Sequence, residues 1–337
     1  MSGRVGGPLV DGFGRVHTDL RISVTDRCNF RCSYCMPEEG MDWLPRSELL
    51  SFEEIERVAR LLVARLGVGS IRLTGGEPTV RAHLPVLVAK LAALRTPAGD
   101  PIDLALTTNG ASLAHQAGAL RDAGLGRINV SLDTLRPDRF VELTRRDELD
   151  RVVEGIEAAV DVGFASVKLN AVVMAGVNDD ELVDLARFGR ARGVEVRFIE
   201  FMPLDAEGRW LPEQVVGRDE IVARVHAALP CEPVGRDHEP AERYRYLDGG
   251  GTFGIIPSVT APFCEGCDRI RLSAEGGLRN CLFALDEVDL RGPIREGADD
   301  DALEALVRGC VADKWAGHQI GRVEFIRPRK SMSQIGG

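Results

Sequence analysis

Three cysteines stand close together in the stretch Thr25-Asp-Arg-Cys-Asn-Phe-Arg-Cys-Ser-Tyr-Cys-Met-Pro37. Their spacing, with three and then two residues between them, allows Cys28, Cys32 and Cys35 to face one inorganic centre. A structural zinc ion takes four protein ligands, and a [4Fe–4S] cluster usually takes four thiolates. Three thiolates therefore leave either a missing ligand or an open iron, and an open iron is a place where chemistry can occur.

The segments around this stretch alternate between strand and helix. Residues 19–24 alternate polar and apolar side chains, which predicts a first strand, and a capping box formed by Ser51 and Glu54 predicts a helix over 51–66. Further elements are predicted as helices over 83–95, 111–123, 149–162 and 179–192, and as strands over 70–74, 102–108, 127–132, 166–173 and 194–200. This alternation predicts parallel βα units that close into a full or partial barrel, although an open doubly wound sheet would show it too.

The pattern changes after about residue 232. Residues 243–247 and 252–256 predict a short hairpin, a Gly-rich hairpin follows near 276–277, and a helix is predicted over 300–316. We therefore expect an α/β protein in three parts. These are a flexible, Gly-rich N-terminal extension (1–17), a partial (β/α)6 TIM-type barrel (18–232) and a C-terminal region with a second metal-binding group (233–337).

Composition limits the class of partner and the compartment. The net charge of −10 and the pI of about 5.3 argue against a nucleic acid or an anionic membrane, although they allow a local basic pocket. The chain has no run of about 18 apolar residues and no apolar secretory segment near its start. We therefore expect a cytoplasmic, reducing setting, in which the eight cysteines include metal-bound thiolates rather than disulfides.

A second cysteine group lies in the C-terminal region. Cys264-Glu-Gly-Cys267 is followed by Cys281, after a gap of 13 residues. Three thiolates are again consistent with an open-iron cluster. Zinc is an open alternative here, because structural zinc often uses such spacings. The fourth ligand would then come from Asp268, His238 or Cys231.

Two short motifs indicate ligand contacts near these groups. Gly75-Gly-Glu-Pro78 leaves the end of the second predicted strand, either as a plain turn or as glycine backbone that approaches a ligand closely. Arg269-Ile-Arg271 places two guanidinium groups on one face of a strand, where they suit phosphate oxygens unless the face is merely solvated. No P-loop sequence occurs, so a nucleotide triphosphate would need scattered cations.

The first cysteine motif, with the aromatic Tyr34 before its third cysteine, and the Gly-Gly-Glu segment together resemble the radical S-adenosylmethionine (SAM) superfamily. In that superfamily three cysteines hold a [4Fe–4S] cluster, SAM chelates the open iron, and reductive cleavage of SAM gives a 5′-deoxyadenosyl radical. The second cysteine group, Arg-Ile-Arg, the segment Val196-Arg-Phe-Ile-Glu-Phe-Met202 and the Gly-Gly end add a closer likeness. From about Asp19 to Gly337 the chain resembles the GTP 3′,8-cyclases of molybdenum-cofactor biosynthesis, the MoaA family.

This resemblance implies roles for individual residues. It implies two [4Fe–4S] clusters, held by Cys28, Cys32 and Cys35 and by Cys264, Cys267 and Cys281, the second of which meets the guanine. It implies SAM contacts from Tyr34, Gly76, Ser131 and Met202. It implies GTP contacts from Arg21, Arg72, Thr107, Lys168, Arg269, Ile270 and Arg271, with Arg197 as a further phosphate candidate. It also implies that the terminal Gly336-Gly337 enters the active site.

The implied reaction is cyclisation of GTP to 3′,8-cyclo-7,8-dihydro-GTP. It requires an external electron donor and is followed by a cyclic pyranopterin monophosphate synthase, and a homodimer is compatible with the sequence. Two alternatives are another radical SAM enzyme with an auxiliary cluster, such as a peptide-modifying one, and a non-enzymatic iron–sulfur electron carrier. Cys231, expected in a linker, and Cys310, expected in a helix, are interpreted as ordinary thiols.

Overall fold

The structure is a computed structural model that describes residues 6–205, 207–236, 239–318, 320, 325–328 and 330–335. Within these residues, twelve strands form one continuous sheet. The strands are Asp19–Ser23 (β1), Ser70–Thr74 (β2), Asp103–Thr108 (β3), Arg127–Ser131 (β4), Ser166–Val173 (β5), Glu195–Glu200 (β6), Cys231–Gly235 (β7), Glu242–Tyr246 (β8), Thr252–Ile256 (β9), Arg269–Leu272 (β10), Gly277–Arg279 (β11) and Val288–Asp289 (β12).

The sheet has the order β12-β11-β10-β1-β2-β3-β4-β5-β6-β9-β8-β7. Strands β1 to β6 are parallel, as the sequence predicts, and the parallel pairing continues to β10 beside β1 and to β9 beside β6. The four outermost strands pair antiparallel. The α/β barrel-type prediction is therefore confirmed, and the C-terminal region adds two parallel strands that its hairpin pattern did not reveal.

The helices follow the strands in the βα order. They are Phe52–Leu66 (α1), Leu84–Ala92 (α2), Leu113–Asp122 (α3), Pro137–Thr144 (α4), Leu149–Val162 (α5), Leu182–Ala191 (α6), Arg218–Ala228 (α7), Arg291–Arg295 (α8), Asp300–Ala312 (α9) and Met332–Ile335 (α10). The helices predicted from the sequence do not include α4, α7, α8 or α10, and α9 ends four residues before the predicted boundary at 316. Cys310 lies in α9 as expected, but the linker prediction for Cys231 is wrong, because this residue begins β7.

Helix α1 shows how local sequence fixes an element. Its predicted capping box is present: the Glu54 amide donates to the Ser51 hydroxyl at 3.1 Å, and the Ser51 amide donates to the Glu54 carboxylate at 2.7 Å. The helix ends at Gly67, which has a φ of 80° that glycine adopts without strain. Its face carrying Ile55 and Leu62 is buried in the main core between helices and sheet.

The N-terminal extension does not match the expectation of a flexible segment in its described part, residues 6–17. Leu9 is fully buried, and its amide donates to the Leu66 carbonyl at 3.1 Å. A short bridge pairs Val10 with Val16. The reason is that this Gly-rich stretch still contains apolar and charged side chains with specific partners, which composition alone does not indicate.

Within the described ranges, no helix has both the length and the apolar character that crossing a bilayer requires.

Candidate active site

One cavity inside the curved parallel sheet collects most of the residues predicted for the site. Its lining contains residues from both cysteine groups, from the ends of the central strands and from their interior faces. The sequence-predicted residues that line it are Cys28, Cys32, Cys35, Cys264, Cys267, Cys281, Tyr34, Gly76, Ser131, Met202, Arg21, Arg72, Thr107, Arg197, Arg269 and Arg271. Lys168 and Ile270 are not among the lining residues and are described below.

The first cysteine group lies in the loop that leaves the carboxyl end of β1. Two backbone bonds to the Cys32 carbonyl, from the amides of Cys35 and Met36 at 2.9 Å each, fold this loop into a tight turn. All three thiols are partly exposed and face the cavity. Burial raises the pKa of Cys28 to about 12 and that of Cys35 to about 11, and it also raises the pKa of Cys32. A metal that binds here must therefore displace protons from the thiols.

The Gly-Gly-Glu segment fixes this loop from the opposite side. The Gly76 amide donates to the Thr25 carbonyl, and the Glu77 amide to the Arg27 carbonyl, both at 2.8 Å. A Cβ atom on Gly76 would lie 2.4 Å from the carbonyl oxygens of Asp26 and Arg27. Glycine is therefore required here by the close approach of two backbone segments, in addition to the cavity that Gly76 lines.

Glu77 acts as an internal anchor for the loops after β2 and β3. Its buried carboxylate accepts hydrogen bonds from the Thr79 amide and hydroxyl, the Thr108 hydroxyl and the Asn109 amide, at 2.6–3.0 Å. Burial raises its pKa, while these donors lower it. The motif glutamate thus positions the rim of the cavity.

A pair of residues far apart in sequence forms the wall beside the first cysteine group. The Tyr34 hydroxyl donates to Oδ2 of Asp133 at 2.5 Å, and the Val172 amide donates to Oδ1 of Asp133 at 2.8 Å. Burial raises the pKa of Asp133 to about 6, although Tyr34 and Val172 lower it. Asp133 is not among the site residues predicted from the sequence. Its position two residues beyond Ser131, at the carboxyl end of β4, was the available signal.

The second cysteine group lies at the opposite end of the cavity. Cys264 and Cys267 precede the amino end of β10, in a short 3-10 turn closed by a bond from the Cys267 amide to the Cys264 carbonyl at 3.1 Å. Cys281 follows β11, which runs antiparallel to β10 and so ends on the same side. Because β10 is parallel to β1, the two cysteine groups face each other along the strand direction.

Two cations distinguish the second group electrostatically. Burial raises the pKa of Cys267, but Arg269 and Lys314 lower it by more than burial raises it, so that the pKa falls to about 7. An Nη atom of Arg269 lies 3.5 Å from the Cys267 sulfur, and the Lys314 ammonium donates to the Arg269 carbonyl at 2.9 Å. These cations favour a thiolate at Cys267. Lys314 was missed, because nothing in its local sequence indicates a contact 47 residues away.

The N-terminal segment braces this second group. Arg15 donates to the carbonyls of Cys264 at 2.7 Å, Trp315 at 2.6 Å and Ala316 at 2.8 Å. Next to it, buried His17 contacts Asp11 at 3.1 Å and Lys314 at 3.4 Å. Residues 6–17 therefore belong to the support of the site rather than to a separate extension.

A row of cations on neighbouring strands runs from the cavity with the two cysteine groups towards an adjoining cavity. We call it the cationic belt, and it consists of Arg271 on β10, Arg21 on β1, Arg72 on β2, Arg127 on β4, Lys168 on β5 and Arg197 on β6. Register places Arg21 beside both Arg271 and Arg72. Burial lowers the pKa of Arg21, Arg72, Lys168 and Arg271, and neighbouring cations of the site lower each of these pKa values further. Such a row favours a polyanion as ligand.

Arg21 and Arg72 are the most informative members of the belt. Both line the cavity and keep part of their surface exposed, but their Nε atoms are buried without a hydrogen-bond partner. Neither forms an ion pair with a described residue; Asp19 acts on both only at longer range. Cations held like this require a counterion, and phosphate oxygens suit the guanidinium fork.

Two residues of the predicted GTP set are placed differently from the rest. Ile270 is fully buried in the apolar core, on the face of β10 opposite Arg269 and Arg271. Lys168 lines an adjoining cavity with Glu195 and Glu239 rather than the main one. The two cavities meet at Arg197, which lines the main one and pairs with both glutamates.

The thiols of the two cysteine groups suit the iron–sulfur clusters that the resemblance implies. All eight cysteines are free thiols, and each cysteine group lines the cavity with three of them. Among the described residues, no three His, Cys, Asp or Glu side chains converge closely enough to hold a single metal ion. Of the residues considered for completing a zinc site, Cys231 is buried away from the cavity, Asp268 accepts a bond from the Thr18 hydroxyl at 2.6 Å, and His238 lies outside the described residues. Soft thiolates in threes with an open cavity before them fit iron–sulfur clusters.

The C-terminus closes the cavity near the first cysteine group. Met332 and Ser333 of α10 line it, and Ser333 hydrogen-bonds to Cys35, which lowers the pKa that burial raises. Gly336 and Gly337, predicted to enter the active site, lie outside the described residues.

Comparison with solved structures gives the fold. The crystal structure of Streptococcus suis SuiB bound to S-adenosylmethionine aligns with a TM-score of 0.59 at 16% identity, covering 90% of this chain and 74% of that one. The structure of anSMEcpe with bound AdoMet aligns with a TM-score of 0.57 at 15% identity, covering 81% and 74%. At such identities the likeness concerns the fold alone.

Comparison of sequences gives the family. Residues 22–189 match the radical SAM superfamily, and residues 194–320 match the family described as Molybdenum Cofactor Synthesis C. The GTP 3′,8-cyclase of Rhodopirellula baltica is 50% identical over 98% of this chain and 92% of its own length. GTP 3′,8-cyclase 2 of Mycobacterium bovis is 48% identical (98% and 92%), and the GTP 3′,8-cyclase of Corynebacterium glutamicum is 46% identical (98% and 89%). This chain therefore belongs to the GTP 3′,8-cyclase family within the radical SAM superfamily.

Proposed function

We propose that this chain converts GTP to (8S)-3′,8-cyclo-7,8-dihydroguanosine 5′-triphosphate, the first step of molybdenum-cofactor biosynthesis. The relatives named GTP 3′,8-cyclase support this activity. The structural observation that carries it is the cationic belt, four of whose members line one cavity together with two groups of three free thiols. These four are Arg21, Arg72, Arg197 and Arg271. A polyanionic substrate bound along this belt reaches towards both cysteine groups at once.

Family membership implies two [4Fe–4S] clusters and SAM, and the thiols fit them. Cys28, Cys32 and Cys35 would hold the SAM-binding cluster, and the second cysteine group would hold the other. Tyr34, Gly76, Ser131 and Met202 line the cavity on the side of the first group and would contact SAM. When bound, the first cluster and SAM would supply a 5′-deoxyadenosyl radical that takes the hydrogen atom from C3′ of the ribose. C3′ would then bond to C8 of guanine, and one further electron and a proton would complete the dihydro product.

The residues of the chain bind, orient and shield the substrate. The cationic belt holds the triphosphate, which fixes the ribose between the two cysteine groups, and Thr107 faces the same space. Arg269 and Arg271 lie nearest the second group, where the guanine would bind. Apolar side chains on the cavity wall, including Val172, Ile199 and Phe201, exclude water from a reactive intermediate.

The wider setting follows from the proposed reaction. Reductive cleavage of SAM needs one electron and reduction of the cyclised radical needs another, and an external donor must supply them. The cyclised nucleotide requires a further enzyme that rearranges it, the cyclic pyranopterin monophosphate synthase. We also propose a cytoplasmic location, where thiols stay reduced, and we retain a homodimer as the oligomeric state to be tested.

The decisive experiment is an anaerobic assay of the reconstituted, reduced protein with SAM, with and without GTP. We expect 5′-deoxyadenosine in both cases and a cyclised GTP product, identified by mass spectrometry and NMR, only with GTP. Reconstitution should give about eight irons per chain. Formation of 5′-deoxyadenosine without any change in GTP would defeat the proposed substrate. About four irons with stoichiometric zinc would remove the second cluster.

Two cysteine variants separate the roles of the two groups. Cys28→Ala should abolish SAM cleavage, because the first cluster loses a ligand. Cys281→Ala should still cleave SAM but give no cyclised product. A matched control is Cys310→Ala, which removes a buried thiol outside both groups. Normal cyclisation by Cys281→Ala would show that the second group has no role with the substrate.

A further inference from the structure

One carboxylate already occupies part of the cationic belt. An oxygen of Glu239 lies 3.2 Å from the Lys168 ammonium and 3.9 Å from a guanidinium nitrogen of Arg127. The other oxygen pairs closely with Arg197. A single acidic side chain thus contacts cations from three neighbouring strands, β4, β5 and β6. Its pKa, raised by burial, is lowered to about 2 by Arg197 and Lys168, so it is ionised at neutral pH.

The two sides of this contact differ in how firmly they are held. Lys168 and Arg197 project from central strands, and their side chains are 15% and 6% exposed. Glu239 lies on the connection between β7 and β8, and its side chain is 36% exposed. The carboxylate, which is more exposed and lies outside the strands, is therefore freer to move away than the two buried cations on the central strands. The next residue, Pro240, lines the main cavity, so Glu239 lies beside the space proposed for GTP.

The second glutamate near these cations has a different character. Glu195 begins β6 and accepts bonds from the Arg197 Nε at 2.8 Å, the Thr252 hydroxyl at 2.8 Å and the Arg243 Nε at 3.2 Å. Its side chain is only 10% exposed. Glu195, with three donors and little exposure, is the more firmly held partner of the cations, which leaves Glu239 as the exchangeable one.

We propose that Glu239 is an internal counterion that the terminal phosphate of the nucleotide displaces, so that it selects for the length of the phosphate chain. This inference rests on the proposed function, since it names a determinant of the same substrate site. A phosphate offers three oxygens and up to two negative charges, against two oxygens and one charge for a carboxylate. Guanidinium and ammonium groups therefore favour the exchange when a phosphate reaches them. A nucleotide with one phosphate leaves Glu239 in place and therefore binds less tightly than a nucleotide with three.

The test compares Glu239→Gln with the unaltered protein in a binding measurement that needs no turnover. Reconstituted protein without reductant is titrated by calorimetry with inorganic tripolyphosphate, GTP and GMP. We expect the variant to bind tripolyphosphate and GTP about tenfold more tightly, with GMP changed less than twofold. Glu232→Gln is the matched control, because it removes the same charge from β7 while its partner, Arg245, is exposed. It should bind all three ligands as the unaltered protein does.

A melting measurement gives an independent readout. Without ligand, Glu239→Gln should melt at a lower temperature, since Lys168 and Arg197 lose a counterion. Tripolyphosphate should then raise its melting temperature more than that of the unaltered protein. Equal or weaker tripolyphosphate binding by Glu239→Gln would overturn the proposal, because the carboxylate would then not compete with phosphate. An equal gain for GMP and GTP would overturn the selection for chain length.

Together with the anaerobic cyclisation assay on both proteins, these measurements separate this inference from the proposed function. If tripolyphosphate binding improves in Glu239→Gln but neither protein cyclises GTP, the counterion is supported and the substrate assignment fails. If both proteins cyclise GTP with the same affinity for it, the substrate assignment stands and the counterion is refuted.

Discussion

Replacing Arg72 with methionine should stabilise the nucleotide-free protein and weaken its binding of GTP. Arg72 lies on β2, half-buried in the cavity, with its Nε atom buried and unpaired. Burial is the largest effect on its pKa and disfavours its charge; Arg127 and Arg197 oppose the charge too, while Asp19 and Asp103 favour it at longer range. A residue that costs stability in the empty site is expected where the ligand supplies the missing counterion.

The magnitudes follow from the setting of the side chain. Methionine has a similar length and removes the uncompensated charge, so the free energy of unfolding should rise by about 1 kcal/mol, or about 2 °C in melting temperature. Loss of a charge-assisted bond to phosphate should cost about 3 kcal/mol of binding, which is on the order of 100-fold in the Kd for GTP. The two effects have opposite signs, which makes the combination diagnostic.

The assay combines melting of reconstituted, nucleotide-free protein with calorimetric titration of GTP. Arg57→Met is the matched control, because Arg57 on α1 already pairs with Asp300 at a partly exposed position. It should change stability by no more than about 0.5 kcal/mol and leave GTP binding unaltered. If Arg72→Met lowered the melting temperature and kept the Kd for GTP within twofold, Arg72 would be a structural cation and our account of the cationic belt would be wrong.

Three further outcomes are expected. Gly76→Ala should lose first-cluster iron and SAM binding, because its Cβ would meet the Asp26 and Arg27 carbonyls at 2.4 Å, whereas Gly69→Ala, with open space around it, should keep about eight irons per chain. The folded pKa of buried His17 lies below 6.5, so the unfolded chain takes up its proton first and stability falls as pH drops from 7 to 5. His17→Asn should remove this dependence of stability on pH, which amounts to at most about 1.4 kcal/mol per pH unit and can be measured by urea unfolding. Equal slopes of unfolding free energy against pH in the two proteins would contradict this expectation. Deleting Gly336-Gly337 should lower cyclisation while SAM cleavage without GTP persists, and full activity would refute a role for the tail.

The elements that the sequence predicts correctly are those whose signals lie within a few neighbouring residues. The six strands from β1 to β6, the capped helix α1 and the loop cysteines all followed from spacing, alternation and caps within a few residues. The two cysteine groups were predicted as ligand sets because their spacing is itself the signal. The division of the chain at about residue 232 stays a prediction.

The parts of the fold and of the site that were not predicted depend on contacts between distant parts of the chain. Strands β1 and β10 pair across about 250 residues, and the Tyr34 hydroxyl meets Asp133 across 99 residues. Arg15 reaches Cys264 across 249 residues, so a segment expected to be flexible supports the second cysteine group instead. Lys168 was grouped with the other cations from resemblance, but no pattern in the sequence indicated that Glu239 would pair with it. Such partners are set by topology, which a single sequence does not display.

The pairing of β10 with β1 also determines how far apart the two reactive ends of the cavity are. One cysteine group follows the carboxyl end of β1, and part of the other precedes the amino end of β10, in register beside it. The five residues of β1 span about 16 Å, since a strand rises about 3.3 Å per residue. This strand is a molecular ruler, and a slip of one residue in its pairing would turn Arg21 away from the cavity while shifting both ends. The distance between the two cysteine groups is therefore set by backbone hydrogen bonds, which side-chain substitutions leave in place.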